Sequence, residues 1–208
     1  MKSGILNLQS LHDYASRYRG EYPANGDDPI AQEYLSKVRS MLDGVSDLGG
    51  VYVWGCYDKR GRWSTIYVGK TDSSKKAGLR PRLSEELCTE NIFFWRPGFS
   101  SDEQLLQYAL AKYANPGPRS EAHYRRSLRK TGTTHIYWVE TPEHRQPEEV
   151  ENWLVELMNP KANRRRLSPS ACHLDAALET LRCVSKHIHD QRPRGTQPKA
   201  KRVVTSTV

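Results

Sequence analysis

The chain has 208 residues, with 32 Lys and Arg against 24 Asp and Glu, a formal net charge of +8 at pH 7. That length suits one domain with extensions rather than two full domains, and the basic excess favours a polyanionic partner. No apolar run reaches membrane-spanning length. The cysteines Cys56, Cys88, Cys172 and Cys183 form no close pair, which argues against a disulfide framework and for reduced thiols in a cytoplasmic protein.

In chain order, a helix is expected around Ile5 to Tyr18. A second opens at Asp28-Pro29, with Ile30, Tyr34, Leu35, Val38 and Met41 on one face and Gly44 at its end. Together they make residues 1–48 a helical extension. Val51, Val53 and Gly55 then alternate with Tyr52, Trp54 and Cys56, the period of a strand. Asp58-Lys59-Arg60-Gly61 has the composition of a turn, and Thr65-Ile66-Tyr67-Val68 is β-branched and aromatic, a second strand. Tyr52 and Tyr67 share a face if the hairpin register allows, and a bulge at Gly61 would shift it by one residue.

Ser100-x-x-Glu103 is a capping box ahead of Leu105, Leu106, Ala109, Leu110 and Tyr113, within a helical insert spanning about 90–132. Thr134 to Val139 is a third strand. Pro147 to Met158 is a helix with Val150, Trp153, Leu154, Leu157 and Met158 as its apolar stripe. Glu148 and Glu156 point away from that stripe. Glu149 and Glu151 border it on either side, and periodicity does not choose between them. A last helix within 167–190 presents Leu174, Leu178, Leu181, Val184 and Ile188. Cys172, His173, Cys183, His187 and His189 lie in or beside it without a common zinc-ligand spacing. Residues 191–208 carry Arg192, Arg194, Lys199, Lys201 and Arg202 and no acid, a basic tail expected to be disordered. Other cations cluster as Lys59, Arg60 and Arg62; as Lys70, Lys75, Lys76, Arg80 and Arg82; as Arg125, Arg126, Arg129 and Lys130; and as Arg164, Arg165 and Arg166.

Gly50-Val51-Tyr52, Tyr67-Val68-Gly69, the Leu79-Arg80-Pro81-Arg82-Leu83-Ser84 segment, Glu151 and Asn163 follow one another in an order that resembles the GIY-YIG nuclease family. The resemblance covers roughly residues 49 to 165, within a domain expected over 49–166. Glu151 stands twelve residues before Asn163 with Pro160 between, the spacing that many members show, and this selects Glu151 over Glu149. Four residues after Arg82, where many relatives carry tyrosine or histidine, this chain has Glu86, a departure that leaves the hydrogen-bonding role of that position open.

The resemblance implies an α/β fold, a small antiparallel three-stranded sheet flanked by helices, and a divalent-metal-dependent endonuclease acting on double-stranded DNA. Glu151 would be the ligand of Mg²⁺ or Mn²⁺, and Arg82 would clamp the scissile phosphate. Tyr52 would accept the proton of the attacking water, with Lys70 lowering the cost of ionising it, and Tyr67 would orient water or phosphate. Asn163 would fix the strand–helix junction or contact the nucleic-acid backbone, joined there by Arg80, Arg164 and Arg165. The layout is most similar to the compact type II restriction enzymes of the family, which implies a restriction or defence role and a homodimer on DNA. A repair or mobile-element nuclease and an inactive nucleic-acid-binding module are the alternatives.

Overall fold

In a computed structural model of the chain, the described residues are 1–12, 29–71, 78–88, 132–141, 147–163, 169 and 171–193. The strands are β1 (Ser3–Asn7), β2 (Gly50–Tyr57), β3 (Trp63–Thr71) and β4 (His135–Glu140). The helices are α1 (Pro29–Leu42), α2 (Leu79–Cys88), α3 (Pro147–Met158) and α4 (Leu174–Asp190). The strands form one sheet in the order β1-β4-β2-β3, with each neighbouring pair antiparallel.

The sheet is buried on both faces, and β2 shows why. Its aromatics Tyr52 and Trp54 join Leu79, Leu83 and Leu87 of α2 and Tyr34, Val38 and Leu42 of α1. Its valines Val51 and Val53 join Val150, Leu154 and Val155 of α3 and Ala176, Ala177 and Val184 of α4. A strand covered on both sides has no polar face, so β2 is apolar at nearly every position.

The expected three-stranded sheet is corrected to four strands. The added strand is β1, which pairs with β4 from Ser3↔Val139 to Asn7↔His135, where a helix from Ile5 was expected. Ile5 packs toward the α3–α4 side and Leu6 toward the α1–α2 side, so successive residues point to opposite faces. The Ile5–Leu8–Leu11 spacing is helical only from Leu8 onward, where Leu11 and His12 donate backbone N–H groups to the Leu8 carbonyl. Residues 13–18 of the expected helix lie outside the described residues. So do the capping box at 100–103, the 105–113 helix, the cations at 125–130, Arg164, Arg165 and Arg166, and the tail from 194 onward.

Helix α3 has its expected bounds, but its buried face is Val150, Leu154 and Val155, while Leu157 is exposed. Relative to the expected stripe, this turns the buried face toward Glu151 and away from Glu149. Asn159 ends the helix at φ 44°, the left-handed conformation favoured after a helix C-terminus. Pro160 then leads the chain back along the outer edge of β3. Ala162 N–H donates to the Ile66 carbonyl at 2.7 Å. The Asn163 side chain accepts from Val68 N–H at 2.9 Å and donates to the Val68 carbonyl at 2.8 Å. An open sheet edge is thereby closed. Among the described residues no helix is long and apolar enough to cross a membrane.

The Asn163 amide serves both backbone groups of Val68, so Asn163→Ala should destabilise the fold by about 1–3 kcal/mol, the cost of stranding such groups. Asn163→Asp should be no better, because a carboxylate cannot donate to the Val68 carbonyl. Urea denaturation of the two variants checks both expectations.

Candidate active site

The two tyrosine triplets meet across the β2–β3 hairpin. Trp54 pairs with Tyr67 and Tyr52 with Gly69. The register shift lies between Trp54 and Gly55 rather than at Gly61, beyond the two tyrosines, so it leaves them on one face. Their ring centroids are 6.3 Å apart at 49°. Gly69 is glycine for a direct reason: a Cβ there would stand 2.5 Å from Cζ of Tyr52. The Tyr52 ring lies on the bare backbone of the second triplet. Gly50 is held the same way, since a Cβ would meet the Val139 carbonyl oxygen at 2.3 Å.

Helix α2 brings the next part. Its first N–H groups donate to loop carbonyls, Leu79 to Leu48 and Arg80 to Ser46, each at 2.9 Å. Its far end is tied to α1, because the Tyr34 hydroxyl donates to the Leu87 carbonyl at 2.9 Å. Leu79, Leu83 and Leu87 bury the face that meets the sheet. Arg82 and Glu86, one turn apart, border that face and reach Tyr52. Arg82 Nε donates to Tyr52 Oη at 3.3 Å, and Arg82 Nη2 donates to Glu86 Oε1 at 2.8 Å. Tyr52 Oη donates to the same Glu86 oxygen at 3.5 Å. Arg82 Nη1 donates to Glu85. Glu86 is buried, with 5% of its side chain exposed, against 57% for Glu85.

These contacts set the charge state of Tyr52. Burial pushes its phenol well above the ordinary value, and Glu86 and Tyr67 add to the rise. The pull of Arg82 in the other direction is smaller. Tyr52 in this arrangement is neutral, donating to Glu86 and accepting from Arg82. The Glu86 position does carry a hydrogen-bonding role, as an acceptor, and its i,i+4 spacing from Arg82 was the signal in the sequence.

Lys70 is turned the other way. Three residues from Tyr67 along a strand, it emerges on the α3 side, where its Nζ meets Glu148 Oε2 at 3.3 Å. After burial, Glu86, Tyr67 and Arg82 act on the Tyr52 phenol, while the ion pair of Lys70 is with Glu148 on the α3 side. Glu151 is half-buried on α3, on that same side of the sheet. Because β3 is the edge strand, the route from α3 to the tyrosines runs past it. Arg80 is used in the fold: its Nε donates to the Val45 carbonyl at 3.0 Å and lies 3.3 Å from Asp47. Asn163 is spent on Val68. Arg164 and Arg165 lie outside the described residues.

A second polar cluster sits near the opposite end of β2. Tyr57 and Tyr137 hydroxyls are 2.8 Å apart, Tyr57 also donates to the Ile188 carbonyl, and His187 stacks on Tyr137 while its Nε2 lies 3.0 Å from Ser3 Oγ. These contacts tie α4 to β1, β2 and β4. Among the described residues no group of three or more His, Cys, Asp or Glu is placed to hold a metal ion.

No family model, curated protein or solved structure matches the chain.

Gly69→Ala should destabilise the protein by about 1–3 kcal/mol, the usual range for overpacking, because the new methyl meets the Tyr52 ring. In a Tyr52→Leu background the same change should cost at least about 1 kcal/mol less, a coupling expected of residues in contact. A double-mutant cycle by chemical denaturation measures it.

Proposed function

We propose that the chain is a divalent-metal-dependent endonuclease of the GIY-YIG kind, acting on DNA. One observation carries the reading. Tyr52, Tyr67 and Arg82 come from three separate segments, and they converge with the tyrosine rings 6.3 Å apart and the guanidinium on a tyrosine hydroxyl. A phosphodiester resists hydrolysis because the nucleophile meets a charged group and the leaving oxygen must take up charge, so a site for it needs cationic stabilisation and a proton acceptor. The Arg82 fork supplies the first. Its outer nitrogen holds only the exposed Glu85, so a phosphate oxygen could take that place while Glu86 keeps the guanidinium in position. Tyr67, half-buried beside Tyr52, presents a second hydroxyl to the same face.

Glu151 fits a magnesium ligand, because Mg²⁺ is commonly held through one or two carboxylates, with waters and substrate oxygens filling the rest of its shell. Such a site needs no larger cluster of protein ligands. When bound, Mg²⁺ or Mn²⁺ would neutralise phosphate charge and activate a water. Packing of α3 on the sheet holds the Glu151 backbone, and the rotated buried face favours this acid over Glu149. We carry the restriction or defence setting, and a homodimer on DNA, as part of the proposal. Light scattering with and without duplex, alongside a plasmid nicking assay, tests the assembly. A second reading, a nucleic-acid-binding module without catalysis, is favoured by the full burial of Tyr52. A metal-dependent nicking assay separates the two.

Glu151→Gln should abolish plasmid cleavage in Mg²⁺ or Mn²⁺ and leave DNA binding nearly intact, since the amide keeps the shape and removes the charge. Cleavage within tenfold of wild type would remove Glu151 from the metal role. Arg82→Ala should slow single-turnover cleavage by roughly 10²–10³, the size of losing one transition-state donor. Arg80→Ala should act mainly on stability, because its contacts are to the loop at Val45 and Asp47. A larger rate effect at Arg80 than at Arg82 would reverse the assignment.

A further inference from the structure

Glu86 has no counterpart in the expected mechanism, yet it is the buried hub of the cluster. One of its oxygens, Oε1, accepts from both Tyr52 Oη and Arg82 Nη2. Arg82 Nε meanwhile occupies an acceptor position on Tyr52 Oη. The phenol is therefore oriented at both ends, with its proton toward Glu86 and a lone pair toward Arg82. We propose that Glu86 is the terminal proton acceptor of the hydrolytic step, reached through Tyr52; this rests on the nuclease reading above.

With Arg82 Nη1 on a phosphate and Nη2 still on Glu86, the second lone pair of Tyr52 Oη, beside the one that Nε holds, accepts from the attacking water. The water oxygen forms the new bond to phosphorus. Its proton passes to Tyr52 Oη as the phenolic proton passes to Glu86 Oε1. Tyr52 begins and ends neutral, and Glu86 ends as a neutral carboxylic acid. The bond from phosphorus to the bridging oxygen breaks, the oxygen keeps the electron pair, and it takes a proton from solvent. A carboxylate terminus removes the need for a free phenolate, whose formation burial opposes. Glu86 thus acts through Tyr52, as a positioning and proton-storing residue.

Among the described residues, Tyr52 of β2 donates to Glu86, and Tyr67 of β3 acts on the same Tyr52 phenol. Arg82 and Glu85 come from its own helix. From α1, Tyr34 reaches the Leu87 carbonyl, and Arg39 acts on the neighbouring Cys88 thiol.

The test is single-turnover cleavage of supercoiled plasmid in saturating Mg²⁺ across pH 6–9, on wild type, Glu86→Gln and Glu86→Asp. Wild type should vary by less than about threefold, because the relay ends on Glu86 and no free phenolate has to form. Glu86→Gln can still accept from Tyr52 and Arg82, so a purely structural role would survive it. The proposal instead expects a loss of at least about 10²-fold in rate, the scale of general-base catalysis. It also expects a profile rising about tenfold per pH unit and unchanged DNA affinity. Glu86→Asp should be slower than wild type but retain the flat profile. A Glu86→Gln enzyme that keeps a flat profile within tenfold of wild type overturns the proposal. So does a wild-type rate that itself climbs tenfold per unit, a result that stands even if the Gln variant does not fold. Wild type that cuts in neither Mg²⁺ nor Mn²⁺ removes the nuclease reading itself, a different outcome from either of these.

Discussion

The parity of the β2–β3 hairpin governs the arrangement around Tyr52. A strand alternates its side chains strictly, so one residue of slip would send Tyr52 to the valine side and Val53 to the aromatic side. The irregularity at Trp54/Gly55 lies on the hairpin-turn side of both tyrosines. From Trp54 back to Gly50 the pairing is regular, and Tyr52 and Tyr67 therefore reach the face that α2 covers. The same alternation sends Lys70 to α3 and to Glu148. One geometric rule thus decides which polar groups can meet.

The energetic weight of the site lies in Arg82 and Glu86. A buried carboxylate without a partner costs several kcal/mol, and an ion pair with hydrogen bonds offsets most of that without adding much net stability. The pair is therefore better understood as a positioning device than as a source of stability. It sits half in and half out of the core, because Arg82 stays partly exposed while Glu86 does not. Such a boundary lets an anion approach the arginine from outside without disturbing the carboxylate beneath it. The contact to Glu85 is of another kind, an exposed pair of small worth that an anion can displace.

Much of the architecture could be derived from periodicity. The alternation in 51–56, a helix opening at Pro29, the bounds of α3 and a strand through Val139 all appear as expected. The strand β1 was hidden because Ile5, Leu8 and Leu11 imitate a helical stripe, and because pairing with β4 is a long-range fact that a local window does not hold. The rotation of α3 was hidden for a related reason. Val155 and Leu157 are equally apolar, and only the shape of the sheet decides which one is buried. At the site, the sidedness of Lys70 follows from strand parity alone, and the Arg82–Glu86 spacing follows from helix geometry. The burial of Tyr52, which raises the cost of ionising it, needed α2 to be placed over the sheet.

The close fit between the two triplets bears on how such a sequence changes over time. Gly69 is bare because the Tyr52 ring occupies the space of its side chain, and Gly50 is bare because Val139 and Leu79 do. Selection for a folded protein would by itself preserve the glycines and the large ring between them, whether or not the chain cuts anything. The triplets therefore record an architecture. Arg82 and Glu151 stand at the edges of the two cores rather than in them, and drift would reach them first if the chemistry were lost. A lineage that kept the triplets while varying those two would have kept the scaffold and changed its trade.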